Sequence, residues 1–311
     1  MPTPQKQKLY VDLVDALNTL FGAHPEFRAA HAKGLICEGS FQPAPAAASL
    51  SRAGHFQKAA VPATIRFSNG TGLPGIPDGD PNATPKGFGI KFHVPGAGDT
   101  DIVAHSANGF SVGTAEEFLE FLRAVAASGP NVPEPTPVQK FVGAHPETLR
   151  FVQLPKPTPV SFVQTSYFAL HAFRFVNAQG QARFGRYFIR PLASEQYLVA
   201  ADAAKKSPDF LFDEIRQRLA KTPAEFRIFL QLANDGDPTH SAALVWPDDR
   251  KQVELGTLTI KAVAADSDAA QKRLIFDPSR IIDGIELGND PMVVDRAGVY
   301  SVSYSRRNPG S

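Results

Sequence analysis

The chain has 311 residues, of which 43% are hydrophobic and 20% are charged, a composition typical of a globular fold with a sizeable core. A net charge of +1 argues against a nucleic-acid partner or a membrane surface held by bulk electrostatics. The single cysteine, Cys37, excludes an intramolecular disulfide and is interpreted as a buried apolar filler. Residues 1–20 lack the apolar core of a secretion signal, and no apolar run approaches the roughly 18 residues that span a membrane. We therefore expect a cytoplasmic protein.

Hydrophobic spacing predicts an N-terminal helix followed by short strands. Apolar residues at helical spacing cover 6–22. Alternating or apolar runs bounded by turn residues predict four strands, at 34–40, 63–68, 87–94 and 101–104. Segment 114–127 is predicted to be a helix, because Thr114 is a good N-cap and Glu117 completes a capping box.

The second half of the chain is predicted to contain four more strands and a helical stretch. The strands cover 167–176, 182–189, 222–232 and 252–264. The first two flank a turn at 177–180, whereas residues 225–232 fit a helix equally well. Residues 194–220 are predicted to be mostly helical, with a break at Ser207–Pro208.

About eight strands with helices inserted late predict an α+β fold, an antiparallel eight-stranded β-barrel with helices packed outside. The 23 phenylalanines are interpreted as ordinary core rather than as the lining of a cavity. No boundary divides the chain, so we expect one domain over 1–311. Its N-terminal helix and lead-in cover 1–24, and the barrel with its helices covers 25–311.

The sequence lacks most of the short motifs that identify a catalytic or metal site. The eight histidines form neither HExxH nor an i,i+4 pair, and no nucleophile elbow or phosphate-binding loop is present. His31 stands just before the first strand, and Ser68 at the end of the second is able to hydrogen-bond an imidazole and select its tautomer. Taken singly, His31 fits a satisfied structural histidine and Ser68 a turn residue.

Arg296 and Tyr300 are four residues apart. On a helix they share a face, and the arginine then favours a phenolate. However, residues 299–305 alternate like a strand, and Gly298 weakens a helix by about 1 kcal/mol. Periodicity alone therefore favours a strand, with Tyr300 as an edge aromatic.

Ten short motifs, in a fixed order over roughly 25–305, resemble the core of haem catalases. They are Arg28–Gly34, Ile65–Ser68, Lys86–Phe92, Asp101–Val103, Phe173–Asn177, Val245–Pro247, Gly256–Leu258, Phe276–Pro278, Gly284–Glu286 and Arg296–Tyr300. Each motif is modest, but the ordered set is highly specific. The chain is most similar to the short branch of the family, the catalase-related peroxidases or minimal catalases. This resemblance implies the catalase-like barrel core without the long N-terminal arm or the C-terminal helical domain.

The resemblance assigns a role to each matching residue. These are His31 as the distal catalytic histidine, Ser68 as its hydrogen-bond partner, Tyr300 as the sole protein ligand to iron, Arg296 as the arginine that keeps it a phenolate, and Arg28 and Arg66 as partners of the haem propionates. Catalases place a distal asparagine soon after the Asp-Leu-Val run. Here that position falls on His105 or Ser106, with Asn108 shortly after. His105 and Asn108 remain catalytic candidates, with Phe110 as a haem contact.

The resemblance implies a haem b peroxidase that reduces hydrogen peroxide and organic hydroperoxides through a ferryl intermediate, using a small organic electron donor. Because the family's distal amide is not in its usual place, we expect only weak, residual catalase activity. The family also implies a homo-oligomer, a dimer or a tetramer. Two alternatives stay open: a hydroperoxide isomerase of the allene oxide synthase type, and a haem- or lipid-binding barrel without turnover.

Overall fold

The computed structural model describes residues 2–309. The strands in this range are β1 (Gly34–Pro43), β2 (Val61–Ser68), β3 (Gly87–Val94), β4 (Gly98–His105), β5 (Tyr167–Val176), β6 (Ala182–Pro191), β7 (Ala224–Leu232), β8 (Gln252–Val263) and β9 (Ile285–Leu287). The α-helices are α1 (Pro4–Phe21), α2 (Ala47–Leu50), α3 (Ala115–Ala126), α4 (Pro137–Ala144), α5 (Pro146–Gln153), α6 (Ala200–Ala203), α7 (Phe210–Leu219), α8 (Ser267–Arg273) and α9 (Pro291–Arg307). None of these helices combines the length and apolarity needed to cross a lipid bilayer.

The first eight strands form a closed antiparallel barrel. Their order is β4-β3-β2-β1-β8-β7-β6-β5, and the pairing of His105 on β4 with Phe168 on β5 closes it. The short strand β9 extends the sheet beside β5. The predicted eight-stranded barrel is confirmed, and β9 is an addition that its three residues were too few to reveal.

Phenylalanines and aliphatic residues fill the inside of the barrel. Phe67 and Phe88 stack at 5.0 Å between ring centroids, and Phe88 and Tyr167 stack at 4.6 Å. Because side chains alternate along a strand, the neighbours of these residues, Ser68 and Gly87, belong to the outer face. Ser68, where β2 ends, therefore lies outside the barrel. Inside it, Cys37 is fully buried in the core, and burial raises the pKa of its thiol to about 12.

The C-terminal segment is a helix, so the strand that periodicity predicted for 299–305 is wrong. The Asp290 side chain accepts from the backbone N–H of Met292, and Pro291 occupies the first turn, which together start α9. Gly298 faces α1, where a Cβ would lie 2.1 Å from Cε2 of Tyr10. Packing against α1 thus overrides the local strand pattern.

The structure makes one ambiguous segment a strand and shortens one predicted helical stretch. Residues 225–232, which fit helix or strand, belong to strand β7. The helical stretch predicted over 194–220 is shorter than expected, because 194–199 is not helical and Tyr197 forms a β-bridge with Pro159. The predicted break at Ser207–Pro208 does separate α6 from α7.

His55 is a buried histidine in the barrel core, with an acid-sensitive contribution to stability. It is 1% exposed, stacks on Phe92, and leaves Nδ1 without a hydrogen-bond partner. Burial lowers its pKa from 6.5 to about 3. Below pH 6.5 the unfolded chain therefore binds a proton at His55 that the folded chain does not bind. The free energy of unfolding is unaffected by His55 above pH 6.5, and it decreases as the pH falls from 6.5 toward 3.

We expect His55→Leu to make the protein less sensitive to acid. Between pH 7 and pH 4.5 the wild type should lose roughly 2 kcal/mol more unfolding free energy than the variant. Urea unfolding at the two pH values measures this difference. His240→Leu, at an exposed position, is the control and should follow the wild type. Equal acid sensitivity in His55→Leu and the wild type would show that His55 is protonated in the folded protein.

Candidate active site

His31 has an unusual backbone conformation. Its φ is 54°, and it is the only non-glycine residue among 2–309 with a positive φ. That left-handed conformation costs about 1 kcal/mol or more for a residue with a Cβ. Flanking backbone bonds hold it, since Ala32 N–H donates to the Thr71 carbonyl and Asn69 N–H donates to the Lys33 carbonyl. The surrounding loops therefore determine where the His31 ring points.

The His31 imidazole is fixed on the outer face of the barrel. Its Nδ1 is hydrogen-bonded to Oγ of Ser68 at 3.1 Å, as predicted from the sequence. Burial, with the positive charges of Arg66 and Arg296 nearby, lowers the pKa of His31 to about 3. The ring is therefore neutral at pH 7 and able to accept a proton.

Helix α9 brings Arg296 and Tyr300 together. Nε and Nη2 of Arg296 donate to the Tyr300 hydroxyl oxygen at 2.9 and 2.6 Å. An oxygen that accepts two bonds from a cation is suited to serve as a phenolate ligand to a metal.

Behind this pair lies a chain of two hydrogen bonds that the sequence did not reveal. Nη1 of Arg296 lies 2.8 Å from Nε2 of His171, whose Nδ1 lies 2.8 Å from Oδ2 of Asp290. Because an arginine only donates, Nε2 of His171 accepts and its Nδ1–H donates to Asp290. The structure makes His171 the partner that orients Arg296. The pairs are 119 and 125 residues apart, so no local motif joins them.

Three arginines gather at one side of the site without acidic partners. Arg28 and Arg66 are the predicted pair, and Arg307, in the last turn of α9, was missed. Arg28 and Arg307 both donate to the Leu274 carbonyl, and Arg66 donates to the His31 carbonyl. Among residues 2–309, no carboxylate forms an ion pair with any of the three.

The positive charges of these three arginines suit an anionic ligand. Burial lowers the pKa of Arg66 to about 9 and that of Arg307 to about 10, and it lowers the pKa of Arg28 as well. Arg28 and Arg66 also repel each other. Such a cluster is stabilised by anions, and the two propionates of a haem supply them. With Tyr300 as a potential iron ligand, the described residues fit a haem.

The structure distinguishes the candidates that follow β4. Ser106 is engaged elsewhere, since its Oγ accepts from the backbone N–H of Lys86 at 2.9 Å. His105 shares the environment of His31, because His31, Arg296 and His171 all contribute, after burial, to the lowering of its pKa to about 3. Phe110 lies beside it, with ring centroids 6.4 Å apart.

Asn108 lines a cavity of about 250 Å³ together with Arg186 and Trp246, and neither His31 nor Tyr300 is among the residues that line this cavity. The structure therefore places Phe110 beside His105 and Asn108 beside Arg186 and Trp246.

Comparison with known proteins shows which family the chain belongs to. The catalase family profile matches residues 22–310. A catalase-related peroxidase of Mycolicibacterium paratuberculosis is 38% identical over 297 residues, covering 94% of this chain and 93% of that protein. A catalase-related peroxidase of Synechococcus elongatus is 32% identical over 302 residues, covering 96% of this chain and 88% of that protein. A fungal catalase structure shares the fold, with a TM-score of 0.79 and 19% identity over 90% of this chain and 59% of that one. The chain therefore belongs to the catalase family.

Proposed function

We propose that the protein is a haem b peroxidase that reduces hydrogen peroxide and organic hydroperoxides with a small organic electron donor, and that it retains weak catalase activity. The observation that carries this proposal is the neutral His31, held by Ser68 in the same site as the Arg296–Tyr300 pair. A base beside a phenolate ligand suits peroxide chemistry. Two relatives named catalase-related peroxidase match the chain over most of its length.

Each residue of the site then has a defined task. When bound, haem supplies the redox chemistry that cleaves the O–O bond. Tyr300 would hold its iron, and Arg28, Arg66 and Arg307 would hold its propionates. His31 accepts the proton of the hydroperoxide and returns it to the departing oxygen, as base and then acid. The bond to Ser68 keeps Nδ1 engaged, so Nε2 is left for this transfer.

Product analysis with the purified holoprotein tests this function. Hydrogen peroxide, cumene hydroperoxide and a fatty-acid hydroperoxide are each supplied with and without an oxidisable phenol. A peroxidase converts one organic hydroperoxide and two equivalents of phenol to one alcohol, one water and two phenoxyl radicals, and this reaction stops when the phenol is omitted. Rapid oxygen release without phenol would instead indicate a catalase, and a rearranged fatty-acid hydroperoxide would indicate an isomerase. No consumption of peroxide would indicate a haem-binding barrel without turnover.

Three further predictions accompany this function. We propose that residues 1–311 act as one domain, that the protein assembles as a dimer or tetramer, and that it resides in the cytoplasm. Proteolysis, light scattering of the purified protein and cell fractionation test them in turn.

A further inference from the structure

Three neighbouring strands bring Ser68, Gly87 and His105 into one row. Gly87 on β3 is the cross-strand partner of Ser68 on β2 and of His105 on β4. Directly opposite residues in antiparallel strands project to the same face, with Cβ positions about 5 Å apart. This row belongs to the outer face of the barrel, because Phe67 and Phe88, which precede or follow its members, pack in the core. Ser68 and His105 thus flank Gly87 on the face that carries the site.

Gly87 provides the space that the His31 ring occupies. A Cβ at position 87 would lie 2.6 Å from Nδ1 and 2.9 Å from Cε1 of His31, and 2.4 Å from Oγ of Ser68. No real Cβ tolerates such distances, so only glycine fits here without a shift of the ring. The imidazole of His31 therefore lies over Gly87, with Ser68 on one side and His105 on the other.

The hydrogen bonding of His105 defines which of its nitrogens carries the proton. The backbone N–H of Ala107 donates to Nδ1 of His105 at 3.3 Å. A ring nitrogen that accepts a hydrogen bond carries no proton, so the neutral ring has its proton on Nε2. Burial and the nearby His31 lower the pKa of His105 to about 3, which keeps the ring neutral at pH 7. His105 therefore offers one N–H donor next to the base His31.

We propose that His105 is a second catalytic imidazole of this site, whose Nε2–H group donates a hydrogen bond to the bound peroxide while His31 moves the proton. The inference rests on the proposed peroxide function. In the proton transfer, the O–H bond of the hydroperoxide breaks and an N–H bond forms on His31. The same proton then forms the O–H bond of the departing water or alcohol. The electrons for O–O cleavage belong to the haem chemistry of the proposed function. His105 keeps its own proton on Nε2 throughout. Its other nitrogen, Nδ1, accepts the hydrogen bond from Ala107 and therefore takes up no second proton.

Two variants of His105 separate hydrogen-bond donation from bulk. His105→Leu keeps most of the volume and removes the donor, whereas His105→Asn keeps an N–H donor. We expect His105→Leu to lower the second-order rate constant of the holoenzyme with hydrogen peroxide by about 100-fold, the usual effect of removing one donor from a preorganised site. His105→Asn should recover most of that loss. Haem content and unfolding midpoint, measured for both variants, should match the wild type. An undiminished rate in His105→Leu, or an equal loss in both variants, overturns the proposal.

A second measurement requires no variant. Neutron diffraction from deuterium-exchanged crystals of the holoenzyme shows which nitrogen of His105 carries a deuteron. We expect a deuteron on Nε2 and none on Nδ1, and a deuteron on Nδ1 overturns the proposal. The two possible failures are distinguishable. If the wild type reduces peroxide and His105→Leu reduces it equally fast, only this inference fails. If the wild type does not react with peroxide, the proposed function itself fails.

Discussion

Tyr300→Phe is expected to lose stable haem binding, and with it the absorption spectrum of a tyrosinate-ligated haem. The phenol oxygen is the atom that accepts both hydrogen bonds from Arg296, and a phenyl ring offers the iron no ligand. Changes to residues that only support a metal ligand weaken binding roughly 10- to 100-fold, so loss of the ligand itself should exceed roughly 100-fold. Haem titration followed by absorption spectroscopy measures the affinity.

The fold should survive this substitution, because Arg296 keeps its contact with His171. Tyr197→Phe is the control, since that phenol is 42% exposed and bonds to Thr165 and Glu195 rather than to Arg296. It should bind haem as the wild type does. An unaltered spectrum and affinity in Tyr300→Phe would remove Tyr300 from the ligand role.

His31→Ala is expected to slow the reaction with hydrogen peroxide by about 100-fold or more, the usual contribution of a positioned acid–base group. The haem content should stay the same, because His31 is assigned to proton transfer and not to iron. Stopped-flow measurement of the reaction with peroxide gives the rate constant. His240→Ala, which changes an exposed histidine, should leave it unchanged.

The pH dependence of the same rate constant provides an independent check. A histidine with an ordinary pKa of 6.5 would lose its basic form as the pH falls through that value. Because the pKa of His31 is lowered to about 3, its basic form persists well below pH 6. The wild-type rate should therefore be nearly constant from pH 8 to pH 5, within the range where the fold is stable. A tenfold or larger decline centred near pH 6.5 would contradict the assignment of His31 as a buried neutral base.

Local sequence signals predicted the elements of the barrel closely. The bounds of β3 and β5 match the predicted strands 87–94 and 167–176, and the capping box of Thr114 and Glu117 starts α3 as expected. These signals succeed because a half-buried strand or a capped helix carries its pattern in consecutive residues. The pattern failed for 299–305, where contact with Tyr10 on α1 selects a helix.

The sequence by itself determined the fold class, the family and most of the candidate residues, among them His31, Ser68, Arg296 and Tyr300, because each motif is short and the motifs keep their order. Only the tertiary structure decided how those residues are supported. Gly87 matters through strand register, His171 through contact with a helix more than a hundred residues away, and Arg307 through clustering with two distant arginines. Cross-strand register and long-range burial arise when the barrel closes, so no local run of residues encodes them.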